Sequence, residues 1–294
     1  MSALYMFISA LSFALMSGCV KAVSLAGIPV MEILAARALV SSVLSYADIR
    51  RKGITPWGHN RPLLIARGVV GTMALMCFFY AITVLPLAEV TLLQYLNPVF
   101  TSVIALLFIG ERIQRSTIGC IVLSLLGVVL MVQPSFLFGH AQAGQHLPTF
   151  GVIAALMGAF GAGAAYVLVR QLNKTDDPSV IIFYFPIIAL PVSLVLLGDD
   201  FVIPQALDTW ILLLMVGIFT QIGQYCLTVA MKKEKASKAM AFSYVQVLFS
   251  AAIGWFFFSE VPGGPALIGT LFIVGGAMVN LYPQLKRRQR LSTC

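Results

Sequence analysis

The sequence falls into ten apolar stretches, at about 4–24, 29–48, 64–84, 87–109, 117–133, 149–171, 179–197, 208–231, 236–258 and 265–284. A bilayer core about 30 Å thick takes roughly 20 apolar residues per helix, and most of these stretches reach that length. So many of them leave no room for a soluble domain. Of the 294 residues, 60% are hydrophobic and only 10% charged, and the mean hydropathy is +0.95; ordinary soluble domains carry roughly 25% charged residues. The first stretch, Leu4 to about Val23, has no basic leader and is too long for a signal-peptide core, so it reads as a retained first helix. Leu85-Pro86 and Glu260-Val261-Pro262-Gly263-Gly264 predict tight turns between antiparallel neighbours.

The net charge of +8 would suggest a nucleic-acid partner in a soluble chain, but the positions of the 19 Lys and Arg give another account. Arg50, Arg51, Lys52, Arg61 and Arg67 surround the second connection, Arg112 and Arg115 the fourth, and Arg170 and Lys174 the sixth. Lys232, Lys233, Lys235 and Lys238 surround the eighth, and Lys286, Arg287, Arg288 and Arg290 lie in the tail. The odd-numbered connections, around Ala26, Leu85, 134–148, 198–207 and 259–264, hold none. Cytoplasmic loops carry the positive excess, so the pattern predicts ten spans with both termini in the cytoplasm. No basic patch interleaved with aromatics remains to suggest nucleic-acid binding.

The second half repeats the first. Glu260 lies over Glu111, Tyr244 over Tyr95, Phe249 over Phe100, Gly217 over Gly68, Cys226 over Cys77 and Arg170 over Lys21, every pair 149 positions apart. The register slips by one after Glu111, where Ile118-Gly119 matches Ile268-Gly269, and returns at Pro134 and Pro283. The expected division is a first five-helix repeat at 1–134, an extracytoplasmic linker at 135–148, a second repeat at 149–285 and a basic cytoplasmic tail at 286–294. Five is odd, so the second copy enters the membrane from the opposite side. Inverted repeats allow two states of nearly equal energy, open to either side, with the solute site at the midplane. The expected fold is therefore an all-α membrane protein of ten helices in two inverted five-helix repeats around a central cavity. Its expected function is solute transport, the alternative being a non-transporting membrane scaffold or regulatory protein.

Arg67-Gly68, Phe79-Tyr80-Ala81, Leu85-Pro86-Leu87-Ala88-Glu89, Asn97-Pro98-Val99-Phe100-Thr101 and Gly110-Glu111-Arg112 resemble the EamA-type members of the drug/metabolite transporter superfamily. The resemblance covers essentially the whole chain. Arg37 and Lys21 match positions where that family often carries a basic residue. In the second copy Ser259-Glu260-Val261 keeps the acid but loses the flanking Gly and Arg, and Val247 stands where Pro98 does in the first. The resemblance implies ten helices, a central cavity, alternating access and, by analogy, export from a bacterial inner (plasma) membrane.

The chemistry available is that of binding. The sequence has no GxxxxGK[ST] loop for nucleotide phosphates and no HExxH, GxSxG or paired Cys/His spacing. ATP-driven pumping, enzyme catalysis, a metal site and a cofactor are therefore not expected, and transport would be secondary. His59, His140 and His146 lie in loops, and Cys19, Cys77, Cys120, Cys226 and Cys294 read as packing residues. The expected partners are a small-molecule substrate and the lipid bilayer; the oligomeric state is open.

A charge near mid-span costs at least about 2.5–3.5 kcal/mol, which singles out Arg37. It is either an anchor for a solute carboxylate or phosphate, or half of an ion pair with Glu89 or Glu32. Lys21 lies close enough to its helix end to snorkel. Glu89 fits proton coupling or the positive end of a helix dipole; Glu111 and Glu260 read as boundary residues. Gln94, Tyr95 and Asn97 of the fourth span, Gln221, Gln224 and Tyr225 of the eighth, and Tyr244 and Gln246 of the ninth are the candidate cavity lining, with Tyr80 and Tyr166 as weaker additions. They line a cavity or hydrogen-bond between helices. Pro98 predicts a helix kink, and Gly158, Gly161 and Gly163 close packing of the sixth span. Asn173-Lys174-Thr175 is a glycosylation pattern on the cytoplasmic side and is discounted.

Overall fold

The computed structural model of the protein describes residues 2–85, 87–132, 148–259 and 264–292. Pro86, Pro134, the linker 135–147, His140, His146, Glu260, Cys294 and the side chains of Glu89, Pro283 and the basic tail lie outside what it describes. Among the described residues all regular structure is helical. The helices are α1 (Ser2–Leu25), α2 (Val30–Arg51), α3 (Arg61–Val84), α4 (Leu87–Gln94), α5 (Asn97–Ile104), α6 (Arg115–Val132) and α7 (Thr149–Leu172). They continue as α8 (Pro178–Leu197), α9 (Leu207–Lys233), α10 (Ala236–Ala241), α11 (Val245–Phe258) and α12 (Gly264–Ser292).

Seven helices among the described residues are long and apolar enough to cross a membrane: α1, α2, α3, α7, α8, α9 and the run Ala236–Phe258. Asn97–Ile109, Arg115–Leu130 and Leu267–Val279 are apolar but shorter. The fourth, fifth and tenth expected spans fall on these three. The chain is thus a multi-pass membrane protein.

Helix ends follow local chemistry. Asp177 precedes α8 in an extended conformation and its carboxylate accepts the Ser179 N–H at 2.9 Å, with Pro178 in the first turn. That is a capped start with the missing proline donor where none is needed. Two of the expected spans are interrupted. In the fourth, Pro98 offers no N–H to the Gln94 carbonyl, and the Val99 N–H bonds to the Leu96 carbonyl at 3.0 Å. The helix therefore restarts at Asn97, with Pro98 in its first turn, and ends in a π-helical segment, Ala105–Ile109. In the ninth, a 3₁₀ turn at Phe242–Tyr244 separates α10 from α11 without any proline. Tyr95 and Tyr244 lie 149 positions apart, so both interruptions fall at one position of the expected repeat.

The helices pack as two compact units, each drawing on both halves of the sequence. The first comprises Met1–Thr72, Leu168–Lys233 and Phe249–Ser259. In it α1 lies along α9, and α2 along α8 and α9, over a core of Val23, Ile28, Ile33, Leu213 and Val216. Gly223 faces the Phe13 ring, where a Cβ would stand 3.1 Å away.

The second unit comprises Met73–Val167, Glu234–Leu248 and Glu260–Cys294. There α6 lies along α12, and α10 against α5 and α6, around Cys120, Ile121, Val128, Tyr244 and Ile273. Gly158 brings α7 close to α3, a Cβ there standing 3.1 Å from the Ala74 carbonyl. Gly163 does the same towards α5, 2.9 Å from the Thr101 nitrogen.

Within each unit the cationic connections meet. In the first, Lys52 Nζ contacts Asp48 at 2.9 Å and Asp177 at 3.0 Å, and Ser179 accepts from Lys52 at 2.7 Å while donating to Asp48. Buried Asp176 accepts the His59 N–H at 2.5 Å and the Asn60 N–H at 3.4 Å. This is possible because Gly58, at φ 63°, has no Cβ to strike the same carboxylate. Arg170 caps the C-terminus of α9 through the Met231 and Lys232 carbonyls at 2.6 and 3.2 Å. Asn173 is buried and donates to the Thr228 carbonyl at 2.9 Å. In the second unit the Glu111 carboxylate accepts the Ala236 N–H at 2.9 Å, and Lys235 donates to the Arg112 carbonyl at 3.1 Å.

Candidate functional site

Four helices of the first unit converge on a small recess. α2 supplies Leu34, Arg37, Ala38 and Ser41, and α8 supplies Ile182, Phe185, Pro186 and Ala189. Each set has the 0, 3, 4, 7 spacing of one helix face. Arg67 enters from α3, and Thr220 and Gln224 from α9. The recess holds about 10 Å³, the space of a single water. Its floor is the Phe185 ring, 6.0 Å from Arg37 Cζ and 5.0 Å from Arg67 Cζ. Guanidinium groups favour such ring faces, the more so where water is scarce.

Of the expected lining residues, the recess gathers Arg37 and Gln224. The rest of that set lies elsewhere in the first unit. Gln221 donates to Ser45 Oγ on α2 at 2.8 Å, a bond between helices. The Tyr225 ring lies 5.3 Å from Lys52 Nζ, at the cationic end. Lys21 Nζ sits 4.5 Å above the Phe258 ring. Glu32 lies at the other end of α2, its carboxylate accepting the Val202 N–H at 3.0 Å.

In the second unit Tyr95 and Tyr244 stack, with ring centres 6.0 Å apart, and the Tyr244 hydroxyl donates to the Tyr95 carbonyl at 2.9 Å. That carbonyl lies at the interruption between α4 and α5. Gln94 Oε1 and Asn97 Oδ1 on either side are buried and accept no hydrogen bond among the described residues. Gln246 is half-buried on α11, and Tyr80 is 50% exposed. Glu89 belongs to α4, and its side chain is not among those described.

The cationic end titrates outside the membrane spans. Burial pushes the Asp177 carboxyl up, but the Ser179 N–H and the Lys52 ammonium outweigh it and hold the group below its ordinary value. Burial likewise lowers Lys52, yet Asp48 and Asp177 raise it overall.

Arg67, Phe185, Ser41 and Thr220 are recess residues that sequence reasoning did not single out. Arg67 read as a boundary charge. The available signal was Arg67-Gly68 followed by Gly71, two glycines that bare one helix face beside a charge.

Helices of this length and hydropathy define a multi-pass membrane protein. The EamA-like transporter family model matches residues 1–133 and 149–282. The chain belongs to the EamA-like transporter family. It is 34% identical over 267 residues to the pseudopaline exporter CntI of Pseudomonas aeruginosa, covering 91% of both chains. It is 30% identical over 284 residues to human solute carrier family 35 member G1, covering 93% of this chain and 75% of the relative. The riboflavin transporter of Rhizobium johnstonii is 26% identical over 238 residues, covering 80% of this chain and 73% of that one. A solved crystal structure superposes with a TM-score of 0.81 over 98% of each chain at 20% identity, a likeness of fold.

Proposed function

We propose that the protein is a secondary transporter that exports a small polar metabolite, an amino acid or organic anion, across a bacterial inner membrane by alternating access. The observation that carries this reading is Arg37, a charge in an apolar span, lining a mostly apolar recess together with Ser41, Arg67, Thr220 and Gln224. Such a residue is a functional-site candidate by default because its burial is costly. Family membership supports transport, and the exporter among the relatives supports the direction. Gln224 shares the recess with Arg37.

The accompanying topology is ten spans in two inverted repeats, 1–134 and 149–285, with both termini cytoplasmic. Hydropathy and the Lys/Arg pattern support it, as does the meeting of the second, sixth and eighth connections in one unit and of the fourth and eighth in the other. Alternating access then follows from exchange of conformation by the two copies.

The test is counterflow of pooled metabolites into liposomes holding the purified protein. Arg37→Gln should lower uptake by about ten- to a hundredfold, the size of a lost charged hydrogen bond, while the protein stays folded. A scaffold predicts a change in stability without any flux to lose. Folded protein that exchanges no solute would sink the transport reading. If Glu89 couples protons, Glu89→Gln should abolish the pH dependence of exchange and leave exchange itself intact.

A further inference from the structure

Pro186 lies in the interior of α8, yet the helix runs on through it from Pro178 to Leu197. A proline has no N–H to give the carbonyl four residues back, which here is that of Ile182. In a membrane span such a freed carbonyl is satisfied by a neighbouring side chain, a local adjustment or an ordered water. Ile182 and Pro186 both belong to the wall of the recess, beside Ser41 of α2 and Gln224 of α9.

Ser41 shows the same need. It is 4% exposed and lines the recess, and its Oγ has no hydrogen-bond partner among the described residues. The nearby hydroxyls are committed. Thr220 donates to the Val216 carbonyl, one turn back, at 2.7 Å. The Arg37 carbonyl stands in the same relation to Ser41, and Ser41 does not bond it. One turn on, Ser45 accepts from Gln221 at 2.8 Å. Buried polar atoms are rarely left unbonded in folded proteins, so a lone hydroxyl at a recess wall calls for an occupant.

Size and charge say which. About 10 Å³ is the space of one water, too little for the end group of a metabolite. Arg37 and Arg67 beside it repel a cation, and they have partners of their own. A buried water makes about three hydrogen bonds. The Ser41 hydroxyl, the Gln224 amide and the Ile182 carbonyl supply that number from three helices.

We infer that the recess is a binding site for a single water, held by Ser41 Oγ, the Gln224 side-chain amide and the Ile182 carbonyl. The water stands in for the backbone donor that Pro186 removes, and it ties α8 to α2 and α9 within the first unit.

Radiolytic labelling tests this, because hydroxyl radicals formed from water by X-rays oxidise the side chains in contact with it. Ile181 and Ile182 are a matched pair, adjacent on α8 and 0% and 3% exposed, with only Ile182 in the recess wall. In the full-length protein in detergent, Ile182 should be oxidised several-fold faster than Ile181. Ser41→Val removes the hydroxyl and fills its side of the recess with methyl groups, so the rate at Ile182 should fall to that at Ile181. Equal rates in the wild type, or an undiminished rate at Ile182 in folded Ser41→Val, would overturn the assignment. If Ser41→Val does not fold, a crystal structure of the wild type that shows ordered waters decides. Density within about 2.7–3.2 Å of Ser41 Oγ is expected; ordered waters elsewhere with none in the recess would refute the site. Crystals grown with bromide in place of chloride should show no anomalous signal there, and a signal would give the site to an anion instead.

Discussion

Tyr244→Phe isolates one hydrogen bond at the helix interruption of the second unit. The hydroxyl donates to the Tyr95 carbonyl at 2.9 Å, and the Tyr244 side chain is fully buried. Phenylalanine keeps the ring stacked on Tyr95 and removes only the donor. In a regular helix the Tyr95 carbonyl would accept the Val99 N–H, but that N–H bonds to Leu96 instead. The substitution therefore strands a carbonyl in an apolar setting, at a cost of about 1–3 kcal/mol. For a chain of this size that corresponds to a fall of about 2–6 °C in the midpoint of thermal unfolding, read by tryptophan fluorescence in detergent. The control is the register mate, Tyr95→Phe: no hydrogen bond to the Tyr95 hydroxyl is found among the described residues, so its loss should move the midpoint little. Equal midpoints for Tyr244→Phe and wild type, or an equal fall for Tyr95→Phe, would refute the reasoning.

Gly127→Ala tests the packing of α6 on α12. Its Cβ would stand 2.6 Å from the Gly269 carbonyl and 2.7 Å from Ile273; backbone cannot yield as a side-chain tip can, so a loss of about 1–3 kcal/mol is expected. Gly275→Ala on α12, with nothing within 4 Å, should leave the unfolding midpoint unchanged or slightly raised. The Lys52 cluster makes a pH prediction with two sides. Asp177 is held below its ordinary pKa, so its contribution is present above about pH 4 and fades as pH falls through the folded value. Lys52 is raised, so its contribution is present below about pH 10 and fades as pH rises through the folded value. Asp177→Asn should flatten the acid limb of the stability profile, and an unchanged acid limb would contradict the assignment.

How far the sequence foretold this arrangement depends on the kind of signal. The start of α8 was legible because Asp177-Pro178-Ser179 carries its own cap. Pro98 announced an irregularity in the fourth span, although it begins a new helix instead of bending one. The turn at Phe242–Tyr244 has no local mark at all, and only its register with Tyr95 points to it. Arg37 stood out as a charge in an apolar run. Arg67 did not, since a charge six residues into a helix can snorkel or turn inward, and spacing does not say which. Gln221, Gln224 and Tyr225 illustrate the limit of periodicity. At about 100° per residue they span a broad face, and that face meets three neighbours: Ser45, the recess and Lys52.

The repeat becomes more informative when it is applied to contacts instead of residues. In the first unit the Ser9 hydroxyl of α1 donates to the Gly223 carbonyl of α9 at 2.8 Å. Stepping 149 positions along the register, Ser9 becomes Gly158 and Gly223 becomes Ala74. In the second unit a Cβ on Gly158 of α7 would meet the Ala74 carbonyl of α3 at 3.1 Å. The same pair of register positions thus makes the same crossing twice, once bridged by a hydroxyl and once closed directly by a glycine. Residue-by-residue matches in an apolar sequence arise readily by chance, because few residue types are in use. A matched contact needs two positions to agree at once, on two helices and in the correct pairing, so it weighs more heavily for two copies of one unit than a matched letter does. The difference between the members carries physical content as well. Glycine permits the closer approach of α7 and α3, serine a hydrogen-bonded one of α1 and α9, so the two contacts need not be equally strong.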